Sequence, residues 1–181
     1  MSRSFLTFAF LAALAVAPGA AQDAGGWPKP AEGWWKAVKP GTRAVYEFKR
    51  GEQVFRQKIE VKEVDVEAGT IRVSSQTFTA DDKEHEPADT RTLDVTNDEM
   101  LNGSLPPDAV CKKLRDETFK VGEREFSCVV YEVTVGDMKL TAHYSAQLPP
   151  VFSGGNVRLE REVEGVPSTI TLVEYTPGED E

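Results

Sequence analysis

Residues 129–145, VVYEVTVGDMKLTAHYS, constrain the fold more tightly than any other stretch of the chain. Gly136-Asp137 reads as a two-residue turn between two strands. Pairing outward from it sets Val135 opposite Met138, Val133 opposite Leu140, Tyr131 opposite Ala142 and Val129 opposite Tyr144, an unbroken apolar row. The other face receives Thr134 with Lys139, Glu132 with Thr141 and Val130 with His143, and is mostly polar. A slip of one residue would turn the apolar row into water, so pattern and turn together fix the register.

The rest of the chain reads in the same period. Residues 42–49 alternate with Ala44, Tyr46 and Phe48 on one side, and a long strand follows over 53–66. Its apolar parity changes near Lys62-Glu63, the mark of a β-bulge. Pairing across the turn at 67–70 sets Val66 against Ile71, Val64 against Val73 and Asp65 against Arg72. Residues 71–79 form a strand, 80–88 a charged loop and 89–96 a weaker strand. Asn102-Gly103 and Pro106-Pro107 interrupt the pattern, and Asp108 is placed to cap one helical turn over 109–114. Residues 116–121 pair with 124–128, Phe119 against Phe126, and 156–163 with 168–175 around Gly165. Phe126 and Val129 lie on opposite parities, so the strand either bulges near Cys128 or is covered on both faces. The expected fold is all-β, a curved antiparallel meander of about 8–10 strands forming a closed or half-open barrel, with a two-sheet β-sandwich as the alternative.

The N-terminus reads as a secretory signal over 1–21. Arg3 precedes the apolar run FLTFAFLAALAVA, Pro18 ends it, and Gly19-Ala20-Ala21 supplies small residues for cleavage near Ala21. Thirteen apolar residues are too few to span a bilayer, which takes roughly 20. Cleavage would remove Arg3 and no acid, taking the formal charge from −9 to −10. So acidic a chain repels phosphate backbones, which excludes nucleic acid as a natural partner. The expected organisation is an irregular Trp/Pro/Gly-rich segment over 22–41, one β-rich domain over 42–175 and a disordered acidic tail over 176–181. The expected location is periplasmic or extracellular.

Few residues carry chemistry. Trp27, Trp34 and Trp35 lie where glycine and proline forbid long regular structure; they either cap the core with their N–H groups bonded at the rim or form an exposed aromatic patch. Cys111 and Cys128 invite a disulfide in an exported protein, but the bridge needs 108–114 to turn back; otherwise both stay as thiols. His85, in the run DDKEHE, reads as part of a solvated loop, and no metal site or cofactor is expected. His143 falls on the polar side of its strand. No hydrolase, zinc-protease, P-loop or dinucleotide motif occurs, so binding stands ahead of a carboxylate-based hydrolase.

The segments GTRAVYEF, RQKIEVKEVDV and KLTAHYSAQLPP before GGNVRLERE resemble, at the level of pattern, the envelope-exported half-barrels related to lipoprotein carriers. The resemblance covers 42–175 and implies a curved sheet around an apolar cavity. The family's helical lid has little counterpart beyond 109–114, and no functional residue carries over. The expected function is a non-enzymatic protein binding an apolar or lipid-like small molecule in a concave sheet, with Trp34, Trp35, Tyr131, Tyr144 and His143 as candidate ligand-facing residues. The alternative is a structural or protein-interaction module of the cell envelope.

Overall fold

A computed structural model describes residues 27–79, 84–97, 105 and 108–179, without the side chains of 84–86. The signal segment with its cleavage position, the charged run at 80–83, the His85 side chain, Asn102-Gly103 and Pro106-Pro107 lie outside that set. The described residues form nine strands: β1 (Arg43–Arg50), β2 (Gln53–Asp65), β3 (Thr70–Thr79), β4 (Glu84–Asp94), β5 (Val110–Val121), β6 (Arg124–Val135), β7 (Met138–Tyr144), β8 (Asn156–Val163) and β9 (Val166–Thr176). All pair antiparallel in a single sheet of order β4-β3-β2-β1-β9-β8-β7-β6-β5. Two meanders, β1 to β4 and β5 to β9, are therefore zipped together along β1 and β9.

The sheet does not close, because β4 and β5 stand at its two ends. It does curl. Phe126 on β6 meets Tyr175 on β9 edge-to-face at 5.7 Å between ring centroids, although three strand spacings in a flat sheet would separate them by roughly 14 Å. The Tyr46 hydroxyl on β1 donates to the carbonyl of Asn156, two strands away at the start of β8, at 3.1 Å. The architecture is the half-open barrel; a two-sheet sandwich is not formed.

Every pair assigned to the β6–β7 hairpin is present, from Val129 with Tyr144 to Val135 with Met138. Gly136 has φ 55 and Asp137 does not follow it into positive φ, the pattern of a type II′ turn. The bulge near Lys62 is present as well, between Val61 and Glu63.

Three expectations need correction. Across β2 and β3, Val64 pairs with Ile71, Glu63 with Arg72 and Val61 with Val73, a slip of two residues in the β2 partners next to the turn and three beyond the bulge, which keeps the apolar face but leaves Val66 in the turn, 50% exposed. The charged loop is shorter than 80–88, since Glu84 already begins β4. The helical turn over 109–114 does not form; that stretch is the start of β5, held by pairing Val110 with Thr134 through Lys113 with Tyr131. Cross-strand partners outweighed the local cap, because one isolated helical turn has almost no stability of its own.

Two apolar clusters result. The larger holds Tyr46, Val61, Ile71, Val73, Phe126 and Leu172 with their neighbours, and Trp34 and Trp35, on a 3₁₀ turn at Trp34–Ala37, pack against it. The smaller holds Tyr131, Val133, Ala142 and Tyr144. Strand β6 feeds both from opposite parities: Phe126 and Cys128 enter the first, Tyr131 and Val133 the second. Near Cys128 it is thus covered on both faces. Beyond the end of β7 the β5–β6 pair runs on as a two-stranded ribbon, whose larger twist lets Phe126 reach Tyr175.

Candidate functional site

Glu117 on β5, Cys128 on β6 and His143 on β7 converge at that change of parity. Glu117 on β5 faces Cys128 on β6, and Val130, two residues on, faces His143 on β7. Glu117 and His143 reach toward each other across the intervening strand. The distance from His143 Nδ1 to Glu117 Oε1 is 2.5 Å. An ionised carboxylate only accepts, so the imidazole carries its proton on Nδ1 and donates it. Glu117 Oε2 accepts from Arg115, at 3.2 Å from Nε and 3.0 Å from the nearer terminal nitrogen. His143 is buried, and its Nε2 has no partner among the described residues.

Burial raises the Glu117 carboxyl, but the hydrogen bond and charge of His143, followed by those of Arg115, hold it below its ordinary value. The Cys128 thiol is pushed up to about 11, by burial first and then by the negative charge of Glu117. It donates to the Phe126 carbonyl at 3.4 Å. A thiol so raised is protonated at neutral pH, so Cys128 and His143 do not make an activated nucleophile. Asp116, Glu117, Thr118, Ser127, Cys128 and Val129 line an adjoining surface cleft of about 500 Å³. A smaller one of about 190 Å³ lies over Lys58, Glu60, Lys62, Ser74, Gln76 and Ala88. Among the described residues, no group of three or more His, Cys, Asp or Glu could hold a metal ion.

The candidate ligand-facing residues do not form one site. Tyr131 and Tyr144 come together in the smaller cluster under Trp27, whose ring lies 5.2 Å from Tyr131 and 5.9 Å from Tyr144. Trp34 and Trp35 meet each other edge-to-face at 6.2 Å and, half-buried, pack against the larger cluster. Their indole N–H groups, expected to be bonded at the rim, are instead buried without an acceptor among the described residues. His143 points to the other side of β7 from Tyr144.

Cys111 and Cys128 are both free thiols, and the bridge does not form. With β5 extended, Cys111 faces Val133, five residues along β6 from Cys128. That is roughly 17 Å of strand, against about 6 Å between the Cα atoms of a disulfide.

Glu117 is the partner of His143 that sequence reading passed over. The signal was within reach. Combining the pair Cys128–Glu117 with the pair Val130–His143 places the carboxylate one step from the imidazole.

No protein-family model matches the chain. No curated protein sequence matches it. Solved structures do share its fold. MucB in complex with MucA(peri) is 13% identical, covers 82% of this chain and 57% of its own, and superposes with a TM-score of 0.52. The complex of MucA and MucB from Pseudomonas aeruginosa gives 14%, 83%, 56% and 0.51. An exported protein with a YmcC-like fold from Bacteroides fragilis, 11% identical, covers 83% of this chain and 99% of its own with a TM-score of 0.48. The chain thus spans less than two thirds of the MucB chains it matches. The likeness to the MucB chains is one of fold.

Proposed function

We propose that this chain is an exported, non-enzymatic protein of the cell envelope that works as a protein-interaction module, its half-barrel serving as a scaffold rather than as a container. The observation that carries this is the filled interior. Leu148, Val151 and Phe152, from the connection between β7 and β8, are buried in the larger cluster, and Trp34 and Trp35 pack onto it. An acyl carrier needs an apolar cavity of roughly 300–1,000 Å³. The cleft over Lys58 is lined mostly by charged and polar side chains, and the open cleft over Glu117 mixes Asp116, Glu117, Thr118 and Ser127 with Cys128 and Val129. The reading of the N-terminus as a signal supports export. The neighbours in fold include MucB bound to MucA, which supports a protein as the thing bound. The Glu117–His143 pair belongs to this scaffold as a buried polar tie between β5 and β7.

The test combines a fluorescent fatty-acid probe with photo-cross-linking in cells, using a photoreactive residue placed in turn on β5, on β4 at Thr90 and beside Trp34. The expected outcome is no saturable probe binding and a discrete adduct to another envelope protein from at least one position. Saturable binding of the probe with no adduct from any position would overturn the proposal.

A further inference from the structure

The two open edges of the sheet differ in kind. Strand β4 carries Glu84, Glu86, Asp89 and Asp94 against Arg91, and Pro87 removes a backbone donor from it. A proline, and charged side chains of either sign, are common means of keeping an edge from pairing with a copy of itself. Strand β5 has no proline and carries Lys112, Lys113, Arg115 and Lys120 against Asp116 and Glu117. Its net charge is therefore positive in a chain whose formal charge is −9.

Two of the four cations have local partners, Lys113 with Asp116 at 2.8 Å and Arg115 with Glu117 at 3.0 Å. Lys112 and Lys120 have no ion pair among the described residues. The same strand exposes Val110, at 65%, and Leu114, at 43%, two of the three large hydrophobic residues most open to solvent among those described. Among the described strands β5 pairs only with β6. Phe119 and Val121 pack into the larger cluster beside Tyr175, which leaves 110–118 as the open stretch of edge.

We infer that β5 is a docking edge that takes up an extended acidic peptide segment of a partner protein as a tenth strand. This rests on the interaction-module function proposed above and names the partner's chemistry. Main-chain hydrogen bonds along 110–118 supply the pairing, as in other strand additions. The lysines select: they repel a second copy of the same basic edge and attract Asp and Glu. Val110 and Leu114 offer apolar cover to one or two side chains of the incoming strand. The charge contrast singles out β5, since the residues of β4 are net acidic and those of β5 net basic.

The experiment uses the purified protein and a labelled peptide of alternating Glu and Val, read by fluorescence anisotropy at low and high salt. Binding is expected, weakening as salt screens the lysines. Lys112→Glu with Lys113→Glu should weaken it tenfold or more, and Arg91→Glu on β4 should leave it unchanged. A peptide of the same charge with alternate amides N-methylated should fail to bind. Equal binding of the N-methylated peptide would reduce the contact to charge alone and overturn strand addition. No binding of the unmodified peptide overturns the inference outright, as does self-association of the protein in sedimentation that blocks the peptide. In-cell adducts from Thr90 or the Trp34 position but none from β5 would sink this inference while leaving the interaction module standing. No adduct from any position, together with saturable binding of the fatty-acid probe, removes both.

Discussion

Glu117 has a carboxyl pulled in two directions, upward by burial and downward by His143 and Arg115, and the downward pull wins. A carboxyl lowered in the folded state adds stability that is present above its unfolded value, near 4.3. That stability is lost as pH falls through the lower folded value. Glu117→Gln should therefore cost about 1.5–3 kcal/mol at neutral pH, the range for a hydrogen bond to a charged group. The gap between parent and variant should then shrink below about pH 4. Urea unfolding of both proteins across that range reads it directly, and a gap that does not change with pH would refute the assigned role. At this scale sequence reading put His143 on the polar side of its strand, where the structure buries it. Burial was not legible there, because the side chain that meets His143, Glu117, lies on β5, two strands away from β7.

Turns flanked by a matched apolar row were readable, and the β6–β7 hairpin is the clearest case, since both neighbours of Gly136-Asp137 constrain the same register. Where the turn was longer, as between β2 and β3, alternation fixed the face but not the count, and the register moved by two residues next to the turn. Strand β5 was the hardest to read. An edge strand with charged residues on both sides has no alternation to show, and its conformation is dictated by β6. The connection between β7 and β8 offers a test of local geometry. Gly155 has φ 82, and a Cβ there would sit 2.8 Å from Cε2 of the Tyr144 ring. Gly136 has φ 55 with nothing within 4 Å of the same added atom. Gly155→Ala should cost about 2 kcal/mol, through strain and displacement of the ring. Gly136→Ala should cost about 1 kcal/mol, from backbone strain alone. Thermal melts of the two variants should rank in that order, and the reverse order would contradict the packing of the connection against Tyr144.

At the scale of the whole molecule, the two meanders meet only because β1, near the start of the described chain, pairs with β9, near its end. No turn encodes that pairing, and the hydrophobic pattern of each strand is satisfied by several neighbours, so the strand order was beyond reach from sequence. The same long-range pairing governs how the chain folds. Most hairpins can form locally, but the larger cluster is complete only when Tyr46 and Ala44 on β1 face Leu172 and Tyr175 on β9. Closing so long a loop has to precede the burial that rewards it. Refolding from urea, followed by the fluorescence of Trp27, Trp34 and Trp35, should therefore take milliseconds to seconds, on the order seen for β-topologies rich in non-local contacts. Leu172, with 1% of its surface exposed, is the probe of the joining step. Leu172→Ala should destabilise by about 2–5 kcal/mol, and a share of that loss should appear as slower folding if β1 and β9 are already paired at the barrier. A sub-millisecond main phase, or a Leu172→Ala effect confined to the unfolding rate, would mean that the meanders collapse independently and dock late.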